Sequence, residues 1–78
     1  MTEKELIDLV QIKTKIDKKT ISNITWAIIR EIKYEVKLNK QVSIRGFGTF
    51  APHKRPDGTN KPGFTPAKAW IEAKSWEV

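Results

Sequence analysis

The run Val42-Ser43-Ile44-Arg45-Gly46-Phe47-Gly48-Thr49-Phe50 constrains the fold of this chain more than any other segment. Val42 and Ile44 alternate with Ser43 and Arg45, the period of a half-buried strand. Gly46 and Gly48 then bracket Phe47, with Phe50 close behind. Glycine supplies the positive-φ or close-approach backbone that a sharp bend between strands needs. Two readings of the bend stay open on these residues alone. It is a tight β-turn carrying two core phenylalanines, or its bare glycine amides, with Arg45 beside them, receive phosphate.

The 78 residues allow one domain. A domain of this size buries only about 60–65% of its unfolded surface, so a disulfide, a metal or a partner subunit usually supports it. The chain has no cysteine, and its only histidine, His53, lies in no cluster of carboxylates. His53 therefore reads as a surface or basic-patch residue, and nothing calls for a metal or a cofactor. Oligomerisation is the support that remains, and a dimer is expected.

Fifteen Lys and Arg against nine Asp and Glu give a net charge of +6. That surplus favours an anionic partner, nucleic acid before anionic lipid. No apolar run approaches the ~18 residues of a membrane span. The opening Met1-Thr2-Glu3-Lys4 is polar and acidic where a signal peptide is basic and then apolar. The expected location is the reducing cytoplasm.

Thr2-Glu3-Lys4-Glu5 forms a capping box, with Met1 and Leu6 at the hydrophobic-staple positions. Leu6, Ile7 and Val10 make the stripe of a first helix over about residues 3–14. Asp17 caps a second helix, with Ile16 and Ile21 at its staple. Ile21, Ile24, Ile28, Ile32 and Val36 then recur at spacings of three and four, and Ile29 widens that face. Isoleucine is a mediocre helix former, so burial must hold this helix. It should run to about Leu38, with Asn39 as a left-handed cap. A stripe this broad predicts a sheet on one side and a second subunit on the other, with Ile28 and Ile32 in the subunit contact.

Pro56-Asp57-Gly58 is a turn signal. A three-residue loop sets Arg55 opposite Thr59. The same register carries Phe50 to Phe64 and sets Pro52 across from Pro62. Neither proline can donate to a ladder, so the hairpin should be pinned at its base by the phenylalanines and loose above them. His53, Lys54, Arg55 and Lys61 make this hairpin basic. Thr65-Pro66 then opens a third helix, threonine as cap and proline at its first position, with Ala69, Ala73 and Trp76 sharing one face and Trp70 beside it.

This order of elements resembles the bacterial histone-like family of HU and IHF. Its most specific part is Ile44-Arg45-Gly46-Phe47-Gly48-Thr49-Phe50 joined at a distance to Phe64-Thr65-Pro66-Ala67-Lys68-Ala69. The resemblance covers residues 1–50 and resumes at about Pro62 through Ala73. It implies an α+β fold of two N-terminal helices, a small antiparallel sheet with a β-hairpin arm, and a short C-terminal helix, assembled as an intertwined dimer. Residues 1–40 would be the helical dimerisation part of one domain, 41–64 the sheet and arm, and 65–78 the C-terminal helix. It also implies binding of duplex DNA in a saddle, mostly through backbone and shape, with the arms in the minor groove. On that pattern Phe47, Phe50 and Phe64 join the subunits. Lys4, Lys18, Lys19 and Lys68 line the body, Gly46 and Gly48 offer amides to phosphate, and Arg45 stands beside that bend.

The chain departs from the family in its arm. Only residues 51–63 separate Phe50 from Phe64, and the steps from Phe50 to Pro56 reach about 20 Å. A full wrap around a duplex is not expected, and Pro56 reads as a turn residue rather than an intercalating wedge. Thr65 and Ile71 stand where many relatives carry lysine. No nucleophile–base pair or phosphate loop supports an enzyme. The leading function is largely sequence-nonspecific binding and modest bending or compaction of double-stranded DNA by a nucleoid-associated dimer, homodimeric or paired with another histone-like subunit. The alternative is a short-armed protein that acts through protein contacts, pairing with or antagonising a full-length subunit.

Overall fold

The computed structural model describes residues 1–72 of the chain. The fold is α+β: helices α1 (Glu3–Thr14) and α2 (Lys18–Lys37), strands β1 (Val42–Ile44), β2 (Gly48–Lys54) and β3 (Asn60–Pro66), and a short helix α3 (Lys68–Ile71). Two compact units divide the chain within α2, one ending at Glu31 and the other beginning at Ile32.

In the first unit, Thr2 caps α1 and accepts from the Glu5 amide at 3.3 Å. The Glu5 carboxylate accepts from the Thr2 hydroxyl, also at 3.3 Å, rather than from the Thr2 backbone. Met1 is 82% exposed, so the expected staple onto Leu6 does not bury it. Lys15 ends the helix in the left-handed region, its amide donating to Gln11 O at 2.7 Å. Asp17 then starts α2 as expected. Its Oδ1 takes the Thr20 hydroxyl at 2.6 Å and its Oδ2 the Thr20 amide at 3.2 Å. Those bonds, the hydroxyl's first, hold the Asp17 carboxyl below the ordinary carboxylate range. The far end of α2 belongs to the second unit: Asn39 adopts φ 65, and Lys40 N donates to Glu35 O at 3.0 Å, the double-bonded helix stop that an αL residue permits.

The sheet of the second unit has the order β1-β2-β3, antiparallel throughout. The turn from β1 to β2 closes with Phe47 N donating to Ile44 O at 3.0 Å, and Gly46 takes φ 77 within it. The β2–β3 register is as expected, Phe50 opposite Phe64 and Pro52 opposite Pro62. Arg55 N donates to Thr59 O at 2.7 Å across the loop that Gly58 turns at φ 92.

The hairpin is not loose above the phenylalanines; pairing continues through His53–Lys61 to Lys54–Asn60. The reason is the alternation of an antiparallel ladder. The Arg55–Thr59 bond makes odd-numbered residues the hydrogen-bonded partners between β2 and β3, so Pro52 and Pro62 fall at non-bonded pairs. Pro52 aims its missing donor to the side where β1 has already ended, at the Val42–Phe50 pair. Pro62 and Pro66 aim theirs to the outer edge of β3, where they blunt strand addition.

Thr65 and Pro66 do not open the third helix; both stay in β3, opposite Thr49 and Gly48. The close approach at Gly48 explains this. A Cβ there would meet Thr65 O at 2.5 Å and the Phe64 ring at 2.6 Å. With no side chain in the way β3 runs on, and Ala67 N donates to Phe47 O at 2.8 Å before α3 begins at Lys68. The expected face of Ala69, Ala73 and Trp76 extends beyond the described residues.

Candidate nucleic-acid interface

The pleat sorts the second unit into two faces. Val42, Phe50 and Phe64 share one, with Pro52, Pro62 and Lys54 further out. On it Phe64 lies 4.7 Å from Phe50 and 5.0 Å from Phe47, ring centre to ring centre. Phe47 also stacks on Trp70 at 5.6 Å with only 22° between the planes, and the Trp70 indole N–H donates to Phe47 O. Trp70 thus belongs to the aromatic cluster. Its partner lies 23 residues away, and no local pattern in the sequence signals the contact.

The opposite face is polar. Ser43, Thr49 and Thr65 line up across the three strands, and the Ser43 and Thr49 hydroxyls lie 3.1 Å apart. Ala51 and Gly63 follow, then His53 opposite Lys61, then Arg55 opposite Thr59 at the loop. Hydroxyls, small residues and cations in that order put positive charge towards the tip. At the loop, Asp57 Oδ1 accepts the Thr59 hydroxyl at 2.6 Å and the Thr59 amide at 2.9 Å. These bonds lower the Asp57 pKa, the hydroxyl's contribution being the larger.

Lys54 and Arg55 are adjacent in the chain, yet they project from opposite faces, and Lys54 stands on the side of the phenylalanines. Gly48 is buried, and a Cβ there would overlap Thr65 O and the Phe64 ring. Gly46 and Arg45 are exposed in the turn, and nothing lies within 4 Å of where a Gly46 Cβ would be.

In the first unit Lys4, Lys18 and Lys19 come together around a hollow that Ile7, Asp8 and Ser22 complete. Lys18 Nζ sits 2.7 Å from Asp8 Oδ1, both half exposed, a pair worth at most about 1 kcal/mol in water. Lys68 reaches Glu72 only at 3.9 Å, and both are well exposed. Neither pair is strong enough to withhold its lysine from a phosphate. Among the described residues no group of three or more His, Cys, Asp or Glu is placed to hold a metal ion. No described helix is long and apolar enough to cross a membrane.

The second unit thus carries a polar, cationic sheet face opposite an aromatic one, and the first unit a lysine-lined hollow. The comparisons make the class specific. The sequence profile described as "Bacterial DNA-binding protein" matches residues 1–76. Integration host factor subunit beta of Pasteurella multocida is 30% identical over 76 residues, 96% of this chain and 81% of that protein. The V42I mutant of HU from Thermotoga maritima superposes with a TM-score of 0.84 at 36% identity, covering 92% of this chain and 96% of that one. HU in the Anabaena HU–DNA cocrystal superposes with a TM-score of 0.79 at 25% identity, covering 92% and 95%. The chain belongs to the HU/IHF family of bacterial DNA-binding proteins, whose members are architectural proteins of the nucleoid.

Proposed function

We propose that this protein binds double-stranded DNA as a dimer, largely without sequence preference, and bends or compacts it modestly from the cytoplasmic nucleoid. The observation that carries the reading is the segregation of the sheet: phenylalanines on one face, hydroxyls and cations on the other. The polar face meets the sugar-phosphate backbone through Arg55, Lys61 and His53. Arg45 and Gly46 in the first turn and the lysines 4, 18, 19 and 68 add contacts to phosphate. Such contacts position a protein on DNA without reading bases.

The dimer rests on apolar exposure. Ile21, at 7%, is the only buried hydrophobic residue among those described, while Ile28 is 53%, Phe47 43% and Phe64 37% exposed. Side chains of this size contribute about 1.5–3 kcal/mol each when fully buried, and a chain of 78 residues cannot forgo that and remain folded. A second copy covering Ile28, Ile32, Phe47, Phe50 and Phe64 supplies the missing burial. Homodimer formation is the simplest case, and pairing with another histone-like subunit would cover the same residues.

Two measurements test this. Sedimentation at micromolar concentration should give a dimer, and a folded monomer there would overturn the assembly. Titration of a labelled duplex at increasing salt should give a log–log slope near −5 if about six phosphates are engaged. Affinity that ignores salt, or strong preference for one short sequence, would overturn the binding mode.

A further inference from the structure

The polar face of the hairpin carries one imidazole, that of His53. His53 stands opposite Lys61 and two residues before Arg55, so the three project together. His53 and Lys61 form a hydrogen-bonded pair, which places their Cα atoms about 5.5 Å apart. Arg55 lies about 6.6 Å further along the strand.

The imidazole does not sweep freely from this position. It lies against the backbone of Gly63 on the neighbouring strand: a Cβ at 63 would overlap His53 Cδ2 and Nε2 and come within 3.0 Å of Cγ. Gly63 thus provides a bare platform that holds the ring beside Lys61. Ala51 and Arg55 flank the ring on its own strand and Gly63 lies beside it on β3; Thr65, Thr49 and Ser43 share the same face further along the strands. The carboxylate of this face, Asp57 at the tip, is occupied by the Thr59 hydroxyl and amide. Among the described residues the charged neighbours along the strands are therefore both cations, and no carboxylate is paired with the ring.

We propose that His53, seated on Gly63 between Lys61 and Arg55, forms a proton-dependent phosphate subsite. The inference rests on the DNA-binding reading above. An anion held by Lys61 and Arg55 lies beside the ring and stabilises imidazolium over imidazole, so binding takes up a proton. The bound state then holds more protons than the free state, and affinity rises as the pH falls through the histidine range. Only the protonated ring donates from both nitrogens and adds a charge to the face.

The test is duplex titration with the full chain at pH 8.0 and pH 5.5, each over a series of salt concentrations. Two protonated subsites in a dimer steepen the log–log slope by up to about 1.8, at about 0.9 per phosphate neutralised. Equivalently, the gain in affinity at pH 5.5 shrinks about threefold per subsite between 50 and 200 mM salt. His53→Gln should lose the steepening between pH 8.0 and pH 5.5, which separates the ring from the amino terminus. Gly63→Ala should do the same while retaining the histidine, because the new methyl takes the place of the ring. Melting curves at both pH values confirm that each variant is folded. Binding with equal slopes at the two pH values, or a steepening that survives His53→Gln, overturns the subsite and leaves the DNA-binding reading standing. Absence of duplex binding at both pH values overturns that reading and the subsite with it.

Discussion

Replacing Gly48 by alanine tests the account of how this sheet is joined. The added Cβ would sit 2.5 Å from Thr65 O and 2.6 Å from Phe64 Cε1 and Cζ, each well inside ordinary van der Waals contact at 3.4 Å or more. The phenyl ring can tilt, but Thr65 O belongs to the backbone of β3, paired beside the Gly48–Pro66 partners. Relief therefore requires the strand to move by close to an ångström. Overpacking of this kind costs about 1–3 kcal/mol, and a backbone obstacle places this site in the upper half of that range. For a domain of this size about 1 kcal/mol corresponds to 4–8 °C, so a melting temperature lower by about 10–20 °C is expected. Gly46→Ala is the control. It meets nothing within 4 Å and suffers only the strain of φ 77, about 1–2 kcal/mol. Both variants should be melted by circular dichroism at one protein concentration, because dimer stability depends on it. Phe64→Leu in the Gly48→Ala background should restore part of the loss, since it removes two of the three obstructing atoms. A Gly48→Ala melting temperature within 2 °C of the parent, or a larger effect at Gly46, would refute the close-approach reasoning.

The split of the hairpin cations predicts that Arg55→Ala flattens the salt slope by about 0.9 per chain, whereas Lys54→Ala, on the aromatic face, changes it less. Equal effects in duplex titrations would refute the two-faced assignment. Asp17 and Asp57 both have lowered pKa values through their threonine partners. Their contribution to stability is present above the ordinary carboxylate pKa of about 3.9 and is lost as pH falls through the lower folded value. Melting temperature should therefore drop on acidification below about pH 4, and Thr20→Val should weaken that dependence. Pro56→Ala should leave affinity and bending nearly unchanged, because the turn tolerates other residues there. Loss of bending in an energy-transfer assay with the fold intact would make Pro56 a wedge.

The helices were legible in the chain because their determinants are local. Thr2, Asp17 and Asn39 stop and start α1 and α2 where their side chains or backbone can satisfy exposed amides and carbonyls a turn away. The hairpin register was legible for the same reason: Pro56-Asp57-Gly58 sets the loop length, and a ladder of period two carries that choice to Phe50 and Phe64. The resemblance of the glycine–phenylalanine bend and the later Phe-Thr-Pro to one family supplied the fold class.

What lay outside local pattern was decided by contacts between distant segments. Thr65-Pro66 carries the signature of a helix start, yet it remains strand because Gly48 lets β3 approach and Phe47 O takes the Ala67 amide. Trp70 joins the phenylalanine cluster through an acceptor in a turn far away in sequence. Lys54 and Arg55 look alike as neighbours, but the pleat of a paired strand sends them to opposite sides. His53 reads as one more basic-patch residue until the register places its ring over Gly63. Caps and turns are settled by groups a few residues apart, which a sequence displays directly. The final faces of the sheet, its close approaches and its aromatic cluster depend on which segments meet, and only the folded chain determines that.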